Sequence, residues 1–201
     1  MSSIFQKKVI AHLKKDLILK VLIDKYDFPV FRQDVDLFAD LIDAIISQQL
    51  SVKAGNTIFG RFKNLFDQFP SASEIIKLPD EQIRRCGISF PKIKYLKGLS
   101  QAIVNKELDL LILETFSDEE VILKLTKIKG IGKWTAEMIL ISSLKRPDIF
   151  SVGDLGLRNA VARLYNVDRE DLKKIEKISE KWKPFRTFAS RYLWKSLKNK
   201  E

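Results

Sequence analysis

Apolar residues recur along this chain at the spacing of helix faces. Phe38, Leu41, Ile42, Ile45 and Ile46 stand at i, i+3, i+4, i+7 and i+8, and Ala54, Ile58, Phe62, Leu65 and Phe66 repeat the stripe. Two core helices are predicted there. Between them lies SQQLSVKAG, whose polar Ser47, Gln48 and Gln49 interrupt the apolar runs at a helix end or kink. Ser71 with Glu74, and Ser117 with Glu120, read as capping boxes that open further helices. Asp80 opens a short helix that Gly87 can close, and residues 93–104 are helical again. Residues 161–165, 172–178 and 185–197 complete the set, the last with Pro184 in its first turn. Phe28 to Phe31 reads as extended. No period-two strand stands out, so the predicted fold class is all-α.

One segment breaks the rule of uninterrupted stripes. Val121, Ile122, Leu125 and Ile128 form an apolar face that ends at Gly130 and Gly132, after which a helical run from Trp134 to Leu144 resumes until Pro147 stops it. The result is helix, Gly-Ile-Gly turn, helix. Glycine admits positive φ and close backbone approach, and a helix start offers unpaired N–H groups and the positive end of the dipole. With Lys127, Lys129 and Lys133 around it, the turn suits a phosphate. The same residues also fit a tight corner with exposed lysines. A dozen residues on, SVGDLGLRNAV seats Asp154 between glycines. Asp154 reads as the N-cap of the next helix. It also reads as a carboxylate whose ionised form the helix start favours, suited to a reaction that builds positive charge.

Composition adds a partner class. The 201 residues carry 36 Lys plus Arg against 26 Asp plus Glu, a formal charge of +10 and a pI near 9.6, which favours polyanions. With 45% hydrophobic residues the chain can bury one core or two small lobes. Cys86 is the single cysteine, which excludes an intrachain disulfide, a cysteine zinc site and a four-cysteine iron–sulfur cluster and fits a reducing compartment. Lys7, Lys8, Lys14 and Lys15 interrupt the amino-terminal apolar residues, so neither a signal peptide nor a membrane span is expected. His12 reads as a surface or satisfied histidine.

These segments together resemble the helix-hairpin-helix DNA glycosylases with a Gly/Pro-rich loop and an Asp (HhH-GPD), in particular the 3-methyladenine DNA glycosylase II, or alkylation-repair, branch. Residues 125–140, LTKIKGIGKWTAEMIL, match the family's LxxIxGIGxWTAxMIL hairpin, and Asp154 of VGDLGLR aligns with its catalytic Asp. SQQLSVKAG resembles its SQQxSxKAA segment and WKPFRTFASRYLW its WxPxRSxAxxYLW carboxy-terminal helix. The likeness runs from about Asp36 to about Trp194.

The resemblance implies a two-lobed helical bundle, with a wedge-bearing lobe at residues 36–115 and a lobe of residues 1–35 plus 116–201 holding the hairpin and Asp154. It implies a phosphate held by Gly130, Ile131 and Gly132, with Lys129, Lys133 and Thr135 adding contacts and a monovalent cation at the carbonyls of Ile128 and Gly130; no other metal and no cofactor are expected. Gln48, Gln49, Leu50 or Ser51 would be the wedge that fills the gap of a flipped nucleotide. Trp134, Met138, Phe31, Trp182 and Phe185 are candidates for the base pocket, since a cationic methylated purine stacks on electron-rich rings. Tyr192 and Trp194 share the carboxy-terminal segment, and each aromatic here also fits a core position.

Where bifunctional members of the superfamily place a lysine nucleophile, this chain has Trp134, and Lys133 is one residue off and points elsewhere on the helix. Monofunctional hydrolysis of alkylated purines is therefore expected, by a minimal helical version without an added α+β domain. The expected partner is double-stranded DNA with damaged bases, the expected state a monomer off the membrane, and the location the cytoplasm at the nucleoid, or the nucleus in a eukaryote. Two rivals stand: a noncatalytic helix-hairpin-helix DNA-binding module, with Asp154 only a cap, and an oxidised-base glycosylase with lyase activity.

Overall fold

Short polar side chains start most of the helices. In the computed structural model, which describes residues 2–198, the chain forms α1 (Ser3–Leu13), α2 (Leu17–Lys25), α3 (Leu37–Ser47), α4 (Val52–Lys63), α5 (Ala72–Lys77), α6 (Asp80–Arg85), α7 (Phe90–Val104), α8 (Asp118–Thr126), α9 (Lys133–Ser142), α10 (Leu155–Tyr165), α11 (Leu172–Ser179) and α12 (Arg186–Lys198). Among the described residues there is no strand. Ser2, Asp16, Asp36, Ser51, Asp154 and Asp171 each accept a backbone N–H from the first turn of the helix that follows. Ser71 and Ser117 do so within reciprocal capping boxes with Glu74 and Glu120.

Three details depart from the sequence expectations. Helices α1 and α2 were not foreseen, because lysines break their stripes into isolated apolar residues; the buried Val9, Leu13, Leu19, Leu22 and Ile23 nevertheless face inward. Helix α4 ends at Lys63, since Leu65 and Phe66 turn back onto the carbonyls of Phe62 and Lys63. Helix α12 begins at Arg186, so Pro184 precedes it rather than lying in its first turn.

Contacts divide the chain into two units. One is Gln33–Leu144, and the other joins Met1–Arg32 to Lys145–Glu201. The hairpin of α8 and α9 therefore clusters with residues 33–144 and not, as the expected lobes had it, with Asp154. The reason is local: α9 packs on α3, the Ser143 hydroxyl donates to Asp40 at 2.7 Å, and the Gln48 amide donates to the Gly130 carbonyl at 2.8 Å. In this unit α5 packs on α7 and α3 on α4, around buried Leu41, Ile42, Ile45, Phe62, Ile75, Ile93 and Leu96.

The other unit builds its core from both ends of the chain. Helix α12 packs on α10 and α2, with Phe188, Tyr192 and Leu193 meeting Leu157, Val161, Leu13 and Leu19. Asp16 is its polar centre: it caps α2 and accepts from the Tyr165 hydroxyl at 2.8 Å and the Trp182 indole at 3.1 Å. Burial and the neighbouring Asp16 raise the Tyr165 pKa far above the usual phenol range.

Candidate functional site

In the Gln33–Leu144 unit, the turn between α8 and α9 has the geometry of an anion cradle. Gly130 sits at φ 95°, a left-handed conformation that side chains other than glycine rarely adopt. A Cβ there would also lie 2.6 Å from the Tyr95 Cβ. Gly132 differs. It is the N-cap of α9 at φ −90° and ψ 173°, an ordinary extended conformation, and a Cβ on it would meet nothing within 4 Å. The space beside Gly132 is open to an incoming group. No side chain caps the first turn of α9, and N–H groups there have no acceptor within the helix.

The charge around the turn is distributed unevenly. Lys129 and Lys133 are exposed, and Lys133 lies 3.7 Å from the buried carboxylate of Glu137. Ile131 and Thr135 are buried. Thr135 was expected at the DNA; its side chain is instead internal, accepting from Gln48 at 3.3 Å because both pack beneath the turn. The Gly130 carbonyl takes the Gln48 amide and the Ile128 carbonyl takes the Ile131 N–H at 3.0 Å. Each oxygen keeps a second lone pair, so the two carbonyls fit a hard monovalent cation. Among the described residues no cluster of three or more His, Cys, Asp or Glu could hold a metal.

Facing the turn, the four wedge candidates separate into two kinds. Gln48 is tied to the hairpin through its amide, and the Ser51 hydroxyl caps α4 by accepting the Ala54 N–H. Gln49 and Leu50 are exposed between them, Gln49 at φ 59°. Lys92 completes the arrangement. From the first turn of α7 its ammonium donates to the carbonyls of Ile46 and Gln48, at 2.7 and 2.6 Å. A cavity of about 700 Å³ lies among Gln48, Gln49, Lys92, Tyr95, Gly132 and Trp134. Neither Lys92 nor Tyr95 stood out in the sequence.

In the unit that joins the two ends of the chain, Asp154 both caps α10 and ties it to α12. Its Oδ1 accepts the Leu157 N–H at 2.8 Å and the Trp194 indole N–H at 2.9 Å. Gly156 leaves room for this pair: a Cβ there would stand 3.0 Å from Oδ1 and 3.3 Å from the indole. The loop leading to Asp154 is pinned by the start of α12. Arg186 grips Asp148 through Nε at 2.8 Å and a terminal nitrogen at 3.0 Å, in the two-pronged geometry that suits guanidinium and carboxylate. The Thr187 hydroxyl donates to the Arg146 carbonyl at 2.6 Å and accepts the Ile149 N–H at 3.0 Å.

The pocket candidates fare differently from one another. Trp182 is fully buried between Phe150 and Tyr165 with its N–H spent on Asp16. Phe185 is buried against Phe5, His12 and Phe188, and Phe31 lies edge-on to Phe188 beneath the Arg191 guanidinium. These three rings are core residues, which corrects the expectation that they line a pocket; an aromatic stripe packs wherever its helix faces inward. Trp134, 41% exposed, keeps its ring at a surface, and Met138 is half-buried.

Known proteins resemble this chain in sequence and fold. The family model for the HhH-GPD superfamily base excision DNA repair protein matches residues 42–185. A DNA-3-methyladenine glycosylase of Schizosaccharomyces pombe is 43% identical over 169 residues, covering 80% of this chain and 72% of that protein. The solved structure of an S. pombe 3-methyladenine DNA glycosylase in complex with abasic DNA superposes with a TM-score of 0.88 at 38% identity, over 96% of this chain and 98% of that one. A Bacillus halodurans DNA-3-methyladenine glycosidase gives 0.83 at 34% identity, over 96% and 89%. On the hairpin, the Asp154 segment and these likenesses, the chain belongs to the HhH-GPD superfamily of base excision DNA repair proteins, among the DNA-3-methyladenine glycosylases.

Proposed function

We propose that this protein binds double-stranded DNA at an alkylated purine such as 3-methyladenine and hydrolyses its N-glycosidic bond, with Asp154 as the catalytic carboxylate. The observation that carries this reading is the Asp154 side chain itself, a single carboxylate held at the start of α10 by two N–H donors on one oxygen. Such a group suits a sugar that becomes cationic as its base departs.

The C1′–N bond breaks and its electrons go to the base, which is cationic before departure and neutral after it. Asp154 stabilises the positive sugar and orients a water, whose oxygen bonds to C1′ while its proton passes to the carboxylate or to solvent. An abasic site remains and the strand stays intact. No lysine occupies the position of Trp134, so the Schiff-base route has no nucleophile there.

Binding falls to other groups. The backbone of residues 130–132 and the start of α9 would hold a phosphate, Lys129 and Lys133 would add charge, and a monovalent cation at the Ile128 and Gly130 carbonyls would strengthen the positive field. Gln49 and Leu50 would enter the stack where the nucleotide leaves it, and Trp134 with Met138 would offer a face to the flipped base. The protein would work as a monomer wherever the genome lies, in a nucleoid or nucleus; among the described residues no helix is long and apolar enough to cross a membrane.

Asp154→Asn keeps the shape of the cap and an oxygen for Trp194 but removes the charge. We expect release of free base from methylated DNA to fall by about a hundredfold or more, with binding to undamaged duplex nearly unchanged because phosphate contacts dominate it. Excision at wild-type rate by this variant overturns the assignment and favours a binding module in which Asp154 only caps a helix.

A further inference from the structure

The turn that joins α3 to α4 holds a strained backbone. Gln49 sits at φ 59° without being glycine. A conformation of that kind persists only where the surroundings over-determine it. Two sets of hydrogen bonds do so. The Gln48 amide reaches the Gly130 carbonyl and the Thr135 hydroxyl, and the Lys92 ammonium reaches the carbonyls of Ile46 and Gln48 on either side of Ser47.

Lys92 is poorly placed for its own helix. It stands in the first turn of α7, where the dipole disfavours a cation. Its charge instead meets the end of α3, where carbonyls lack helical partners and a cation is favoured. It is half-buried, and burial lowers its pKa from the usual lysine range. A lysine that merely solvates a surface would show none of this.

We propose that Lys92 is a positioning residue for base flipping: by clamping the Ile46 and Gln48 carbonyls it holds the turn that presents Gln49 and Leu50 in register with the phosphate-gripping turn at Gly130. The inference rests on reading residues 48–51 as the wedge of a DNA glycosylase. It assigns Lys92 no contact with substrate. Gln48 links the two turns directly, and Lys92 fixes the main chain from which Gln48 reaches. A phosphate drawn onto the hairpin thus meets a wedge already set at a fixed distance, and ordering cost is removed from the flipping step.

The test compares Lys92→Met and Lys92→Arg with the wild type on two duplexes, one undamaged and one holding a tetrahydrofuran abasic site beside 2-aminopurine. Binding affinity reports the preference for the gapped duplex, 2-aminopurine fluorescence reports wedge insertion, and thermal unfolding reports stability. Loss of a charged hydrogen-bonding group should cut the preference of Lys92→Met for the abasic duplex by about tenfold and diminish the fluorescence change, while affinity for undamaged duplex moves by less than about threefold. Lys92→Arg, which keeps charge and donors, should recover most of both. Should Lys92→Met not fold, Lys92→Gln gives the same comparison with a neutral donor. Unchanged preference, or an equal fall on both duplexes, overturns the proposal. The glycosylase reading fails on a separate measurement, base release by the wild type, so the two failures are distinguishable.

Discussion

The Trp194 indole N–H donates to Asp154 Oδ1 at 2.9 Å, across forty residues of sequence and from a different helix. The carboxylate is thereby fixed at two points, by its own helix and by α12. Trp194→Phe keeps an aromatic body and deletes only this donor. We expect base release to fall by about tenfold, from loss of one hydrogen bond to a charged acceptor worth roughly 1.5–3 kcal/mol, while affinity for undamaged DNA holds. Single-turnover excision beside duplex binding decides it; equal losses in both would show that the indole serves the fold alone.

Gly156→Ala sets two effects against each other. Alanine favours the helix by up to about 1 kcal/mol, yet its Cβ would press on Asp154 Oδ1 at 3.0 Å and on the indole at 3.3 Å. Activity should drop several-fold while the melting temperature shifts by no more than a few degrees. A variant as active as the wild type would mean that the pair tolerates displacement.

The two glycines of the hairpin should respond in opposite ways. Gly130→Ala meets both a left-handed φ and the Tyr95 side chain, so a stability loss of roughly 2–5 kcal/mol is expected by denaturant titration. Gly132→Ala meets no protein atom. Its fold should survive with a small loss, and DNA affinity should fall because the methyl group occupies the approach to the α9 N–H groups.

How far these features could be read beforehand depended on distance along the chain. The helix, turn, helix pattern was legible because Ser117, Gly130, Gly132 and Pro147 are local signals that act on their own neighbours. Asp154 as a cap was legible for the same reason. Trp194 as its partner was not, nor was Lys92 at the end of α3, because each depends on which helices lie side by side. Trp182 and Phe185 misled for a related reason: a ring's residue type is visible in sequence, but the neighbours that cover it are not. The break between units also escaped the pattern, since α8 and α9 adjoin Asp154 in sequence while α9 packs on α3 and α8 on α9.

Alkali should expose the burial of Tyr192, whose pKa is pushed up to about 12 by desolvation and by the nearby Asp27. Up to about pH 9 the phenol is protonated in folded and unfolded chains alike. Above that the unfolded chain loses the proton first, so the stability present below about pH 9 drains away as pH climbs toward the folded value. Denaturant midpoints taken from about pH 9 to 11 should fall less steeply in Tyr192→Phe than in the wild type; parallel slopes would assign the alkaline loss to other groups.

The unit that holds Asp154 is drawn from both ends of the chain, Met1–Arg32 and Lys145–Glu201, around the uninterrupted Gln33–Leu144. Synthesis therefore delivers the hairpin and the Gln48–Ser51 turn as a finished stretch before the partners of Asp154 exist. Trp194 and the Arg186–Thr187 clamp arrive only with α12. A nascent chain can hold the parts that would grip DNA while its carboxylate still lacks its second anchor, so α12 is the element whose arrival fixes the Asp154 side chain.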